Sequence, residues 1–154
     1  MRTFTTLDEV IEAAGEDLGT SEWVTIEQDR VDAFAEATGD HQWIHVDPQR
    51  AASGPFGTTI AHGYLTLSLV PVLVASVVDY RGWDVKINYG ANNVRFPLPV
   101  PVDSRVRAGV EVAAVTEVPA GLQVAMRVTV ETEGPDGVRR EKPALVAETL
   151  TLLA

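Results

Sequence analysis

Residues 64–78 are almost continuously apolar. Leu65, Leu67, Leu69, Val70, Val72, Leu73, Val74, Val77 and Val78 cover every side of a helical wheel. A helix that is apolar all round is a buried one, so the rest of the chain has to wrap it. The segment is shorter than the roughly 20 residues of a membrane span. It also carries Thr66 and Ser68, which argue against insertion. Pro71 inside it predicts a kink or an early end, because proline cannot supply the amide that the carbonyl of Leu67 would meet. After this segment the period changes from 3.6 to 2. Val85, Ile87 and Tyr89 alternate until Gly90 interrupts as a candidate bulge. Val106, Ala108, Val110 and Val112 alternate with polar or small residues, as do Leu122, Val124, Met126, Val128 and Val130. Gly134-Pro135-Asp136-Gly137 reads as a turn, and Val146, Leu150 and Leu152 as the apolar face of a last strand. The expected fold is therefore α+β, with an antiparallel sheet covering one long central helix. At 154 residues and 45% hydrophobic, the chain reads as a single domain, 1–154.

The region before the central helix is punctuated by helix signals. Thr6-Leu7-Asp8-Glu9 has the form of a capping box, and Gly15 ends the short helix that follows. Residues 22–27 read as a strand. The next helix carries Val31, Phe34 and Ala35 on one face and stops at Gly39. Asp47-Pro48 reads as an N-cap followed by proline at the first helical position. Asp40 to His45 then form a tight connection between two helical pieces.

Composition removes several function classes. The net charge is −10, from 12 basic and 22 acidic residues. Such a surface repels phosphate backbones and anionic membranes, so neither nucleic acid nor membrane is an expected partner. The absence of cysteine excludes disulfides and thiol catalysis. No basic segment followed by an apolar one opens the chain, and a cytoplasmic location is expected.

The polar connection carries the chemistry. The run Thr38-Gly39-Asp40-His41-Gln42-Trp43-Ile44-His45 puts a carboxylate close to an imidazole in a chain with only 3 histidines. Such a pair can activate water, one group taking a proton while the other returns one, and contributes about 10²–10⁴-fold. The alternative is that Asp40 caps local amides and His45 packs on Trp43. His41 and His45 have the i, i+4 spacing of a helical metal pair. The Gly39 stop and the Pro48 start place them on a loop, however, and no Glu follows His41, so no metal is expected. A serine triad lacks its G-x-S-x-G elbow. Ile60-Ala61-His62-Gly63 opens the central helix, whose first amides have no intrahelical partners. Gly63 lets a ligand approach them, so a polarised carbonyl oxygen could sit there. The alternative is a plain helix start, with glycine chosen for close packing.

Taken together, these segments resemble the MaoC-like, or (R)-specific enoyl-CoA hydratase, family of hot-dog proteins, in the subgroup near nodulation protein N. Phe34, Thr38-Gly39-Asp40, Ile44-His45 and Ala51 match the hydratase motif in order. Residues 55–64 match the approach to the central helix, and Asn92-Asn93-Val94-Arg95-Phe96-Pro97 the strand after it. The departure is Gln42-Trp43, where the family has Asn-Pro. The resemblance implies that Asp40 and His45 activate water for addition to a trans-2-enoyl-CoA thioester, giving the (R)-3-hydroxyacyl thioester. It implies that the Gly63 amide polarises the thioester carbonyl. It places Gln42, His62, Tyr64, Gly90 and Asn92 as substrate-side residues, and leaves Arg95 between a CoA phosphate and a strand salt bridge. It requires no cofactor and implies a homodimer. A hot-dog thioesterase and a non-catalytic acyl-thioester binding subunit are the competing readings.

Overall fold

The hydroxyl of Thr6 accepts from the amide of Glu9, and the Glu9 carboxylate reaches back to the Thr6 amide, so the capping box forms as written. In the computed structural model, which describes residues 1–154, the elements run as follows. First come β1 (Arg2–Phe4), α1 (Leu7–Glu12), β2 (Asp17–Thr20), β3 (Val24–Thr25) and α2 (Gln28–Thr38). Then come α3 (Trp43–Val46), α4 (Pro48–Ala52), α5 (Gly63–Ala75) and β4 (Val78–Tyr80). The chain finishes with β5 (Lys86–Arg95), β6 (Arg105–Val118), β7 (Gly121–Glu133) and β8 (Leu145–Leu153). Strands β2-β6-β7-β8-β5 form one antiparallel sheet in that order, with β3 also on β6. β1 and β4 form a small parallel pair.

The sheet wraps α5 as its pattern requires. Val106, Ala108, Val110 and Val112 of β6 and Leu122, Val124, Met126, Val128 and Val130 of β7 are buried. They pack in one cluster with Leu65, Leu69, Val70 and Leu73 of α5. Full burial of such a side chain contributes about 1.5–3 kcal/mol. On the outer face, Arg105, Arg107 and Arg127 stand directly opposite Glu133, Glu131 and Glu111 and pair with them. These cross-strand ion pairs reinforce the register that the inner face sets. No helix is long and apolar enough to cross a membrane.

Four details depart from the sequence reading. α5 runs through Pro71 but ends at Ala75, and Val77 and Val78 pass into the strand pair. Its burial is one-sided: Tyr64, Ser68, Pro71, Val72 and Ala75 form an exposed stripe, with Tyr64 at 71% and Val72 at 64%. The all-round apolar wheel thus lies against a sheet on one side and is largely uncovered on the other. The strand expected over 22–27 shrinks to Val24–Thr25, and β2 is added before it. The last strand has the opposite phase. Leu145, Ala147 and Leu153 are buried, opposite Val130, Val128 and Leu122 of β7, while Val146, Leu150 and Leu152 are only half-buried. Thr149 and Thr151 share the inner face, and threonine fits a strand on either face, so the alternation was ambiguous. The bulge expected at Gly90 is present as a register shift between Asn88 and Gly90.

Candidate active site

The carbonyl of Ala35 accepts the amide of Gly39, whose φ of 80° ends α2 in the left-handed region that glycine adopts freely. The next residues turn back across the N-terminus of α5. Asp47 caps α4 through the Arg50 amide, as its position before Pro48 implies. Between these fixed ends the chain forms α3, a single turn that the sequence reading had as loop. His41 precedes this turn and points to Glu36, Nδ1 to Oε1 3.6 Å. His45 lies inside the turn and is buried. The i, i+4 pair therefore diverges.

His45 donates from Nδ1 to the carbonyl of Ile60 at 2.7 Å. A carbonyl only accepts, so Nδ1 carries the proton and Nε2 keeps its lone pair. Ile60 is itself held, its amide on the carbonyl of Ile44 at 3.0 Å. His62 stacks on His45 with ring centroids 3.8 Å apart and planes at 23°. The same logic makes His62 Nε2 a donor to the main-chain carbonyl of Asp40, at 2.9 Å. Burial holds the His45 imidazole below its ordinary pKa of 6.5. The Ile60 bond opposes that shift, the neighbouring His62 adds to it, and the Asp40 charge opposes it.

A carboxylate oxygen of Asp40 and ring nitrogens of His45 and His62 all lie within 4.8 Å of one another. These are the donor types a transition metal takes. Each ring already spends one nitrogen on a carbonyl, however, and the faces are stacked. That leaves one free nitrogen on each ring. The arrangement allows proton transfer between Asp40 and His45.

His45, Gly63 and Tyr64 open onto a cleft of about 390 Å³, otherwise lined mainly by apolar groups including Phe56, Phe96 and Leu98. Gly63 is the first residue of α5 after the cap His62, so its amide lacks an intrahelical acceptor. A side chain here would meet the Phe96 ring, since an ideal Cβ lies 3.0 Å from Cγ. Glycine thus serves close packing and leaves the amide open at once. Tyr64 stands at the mouth beside Phe96, ring centroids 6.0 Å apart.

The other candidates lie elsewhere. Gln42 is exposed at the start of α3, with no side-chain capping bond. Trp43 turns away from the cleft: it lies under the Arg50 guanidinium, 4.4 Å from the ring centroid, and against Gly54. Gly90 lines a second cleft of about 420 Å³ between α5 and strands β5, β7 and β8. Asn92 donates to Glu148 across the strands at 3.0 Å. Arg95 makes no ion pair and folds onto the Val94 carbonyl at 2.7 Å. The sequence reading missed Gln28 and Thr59, which tie α2 to the His45 turn.

Comparison with known proteins shows the family. Residues 9–134 match the MaoC like domain. The chain is 54% identical over 151 residues to 3-hydroxyacyl-thioester dehydratase Z of Mycobacterium tuberculosis, covering 97% of each. It is 42% identical over 150 residues to nodulation protein N of Rhizobium leguminosarum bv. viciae, covering 96% of this chain and 90% of that one. The solved (R)-hydratase from Aeromonas caviae superposes with a TM-score of 0.71 at 27% identity, over 92% of this chain and 96% of that one. Among the residues matched are the turn that holds Asp40 and His45 and the helix start at Gly63. This chain belongs to the MaoC-like dehydratase family, a family of hydro-lyases with the hot-dog fold.

Proposed function

We propose that the chain adds water to trans-2-enoyl thioesters of CoA to give (R)-3-hydroxyacyl thioesters, and removes it in the reverse direction. The observation that carries this reading is the His45 Nδ1 bond to the Ile60 carbonyl, from which the tautomer of the ring follows. With Nδ1–H spent on Ile60, the ring keeps its Nε2 lone pair; a ring nitrogen lies within 4.8 Å of an Asp40 carboxylate oxygen, and His45 shares its cleft with Gly63.

In the forward direction a water molecule lies between His45 and Asp40. Nε2 accepts one of its protons while Asp40 accepts a hydrogen bond from the other and fixes its direction. The water oxygen bonds to C3, and the double-bond electrons move through C2 onto the thioester oxygen. The Gly63 amide, at the positive end of α5, stabilises that oxygen. The dyad returns the proton to C2, and one water has been added with no change elsewhere. His45 is suited to both steps because burial keeps it neutral at neutral pH.

A second copy of the chain is proposed to complete the cleft. β5 is an edge strand, exposed almost throughout, and the uncovered stripe of α5 runs beside the cleft it borders. An exposed edge next to an apolar stripe favours strand pairing with another chain. A pair related by a two-fold axis would cover both.

Incubation with crotonyl-CoA tests the reaction. Loss of enoyl absorbance without release of thiol is expected. Release of free CoA would make the protein a thioesterase, and no change across a series of acyl lengths would make it a binding subunit.

A further inference from the structure

His45 is the last but one residue of a four-residue helix. The carbonyls at such an end have no intrahelical donor, and the carbonyl of His45 receives no main-chain amide from any turn or loop. It is met by Gln28, the first residue of α2, whose Nε2 donates to it at 2.8 Å. The same nitrogen donates to Asp32 at 2.8 Å, while Oε1 accepts the hydroxyl of Thr59 at 2.5 Å. Two acceptors that can only accept sit on one side of the amide, and a hydroxyl on the other. Its orientation is therefore fixed, since a flip would set oxygen against oxygen.

Thr59 is buried, and its own carbonyl takes the amide of Val102 at 2.9 Å. It immediately precedes Ile60, whose carbonyl holds the His45 ring. One side-chain amide thus references both anchors of His45: the main chain directly, and the ring through Thr59 and Ile60. Neither Gln28 nor Thr59 lines the cleft. Beside the local bond to Asp32 within α2, the partners His45 and Thr59 lie 17 and 31 residues from Gln28 in the chain, so these two contacts are built by the fold.

We infer that Gln28 and Thr59 are positioning residues, a clamp that fixes the aim and the tautomer of His45. The inference rests on the proposed acid–base role of His45 for its consequence in catalysis, but not for its structural content. A misdirected base loses rate more than binding, because displacement by a fraction of an ångström to one ångström costs on the order of 10- to 100-fold.

The test compares the intact protein with Thr59→Val, which keeps the shape and removes the hydroxyl, Thr59→Ser, which restores it, and Gln28→Leu. Imidazole nitrogen NMR reads the tautomer of His45 directly and needs no activity. The wild type and Thr59→Ser are expected to hold the Nδ1–H form, and Thr59→Val and Gln28→Leu to give a mixture. Hydration of crotonyl-CoA is expected to lose kcat on the order of tenfold or more in those two variants, with KM changed less than about twofold, and to recover in Thr59→Ser. An Nδ1–H signal and a kcat equal to wild type in Thr59→Val would overturn the clamp. If Gln28→Leu does not fold, the Thr59 pair decides alone. Should the wild type fail to hydrate any enoyl thioester while the tautomer still responds, the clamp stands and the proposed reaction falls.

Discussion

Two clefts open along α5, and their walls are held in different ways. The cleft at the helix start is tied by hydrogen bonds between side chains and main chain. His45 is fixed to Ile60, His62 to Asp40, and Gln28 to both His45 and Thr59. The second cleft has Met126 at its floor and Asn88, Thr149 and Thr151 on its strand walls, whose side chains bond to no other group of the chain. One wall is an edge strand with a bulge, and another is the uncovered side of a helix that contains Pro71. The first cleft is preorganised for one geometry, as the proposed acid–base chemistry demands. The second is shaped by apolar fit and left open, as suits an acyl chain or the surface of a second copy.

The sharpest way to break this contrast is to remove the two groups proposed to transfer protons at the first cleft. Asp40→Asn and His45→Gln are each expected to lower kcat for hydration by about 10²–10⁴-fold while circular dichroism stays unchanged. Near wild-type turnover in either variant would remove that residue from the mechanism. Next in size is Gly63→Ala. Its methyl would stand 3.0 Å from the ring of Phe96, which is 40% exposed and has to give by a few tenths of an ångström, so a loss of about 1 kcal/mol in urea unfolding is expected. Adding Phe96→Ala should return part of it, and strict additivity of the two would contradict the contact.

The pH dependence comes third. Burial lowers the His45 pKa below 6.5, so between the folded value and 6.5 the unfolded chain binds more protons than the folded one. The contribution of His45 to stability is complete above about 6.5 and is lost as pH falls through the folded pKa. The acid limb of kcat/KM is expected below 6.5 in the wild type. It should move to higher pH in His62→Gln, where the neighbouring imidazole is gone, and an unmoved limb would show that the stacked pair does not interact. The smallest effect belongs to the open side. Val72→Lys is expected to change the stability of the single chain by no more than about 0.5 kcal/mol. Sedimentation should nevertheless shift from the proposed dimer to monomer, and a dimer undisturbed by the change would remove the α5 stripe from the interface.

Local rules carried much of this fold. The capping box at Thr6, the stop at Gly39, the cap at Asp47 and the inner faces of β6 and β7 depend on neighbours in sequence or on period, and each formed as read. The phase of β8 did not, because Thr149 and Thr151 occupy the inner face and only pairing with β7 decides it. The exposed stripe of α5 was hidden for another reason: its residues are apolar, and sequence does not distinguish a side covered by this chain from one left open. At the site, Asp40, His45 and Gly63 stood out by residue type and spacing. His62 was visible as a residue next to Gly63, but its stacking beneath His45 was not. Gln28 gave no signal, since a glutamine at the start of a helix is ordinary, and its meaning comes from partners far away in the chain. The Gln42-Trp43 departure looked like a change in the pocket, yet Trp43 packs outward on Gly54 and under Arg50.

The most direct test follows the oxygen atom. Crotonyl-CoA is incubated with the protein in heavy-oxygen water and the products are resolved by mass spectrometry and chiral chromatography. Addition by the Asp40–His45 pair gives (R)-3-hydroxybutyryl-CoA with one heavy oxygen on C3 and the thioester intact. Heavy oxygen in the carboxylate of free crotonate, or a hydroxyacyl product of the opposite hand, would contradict it.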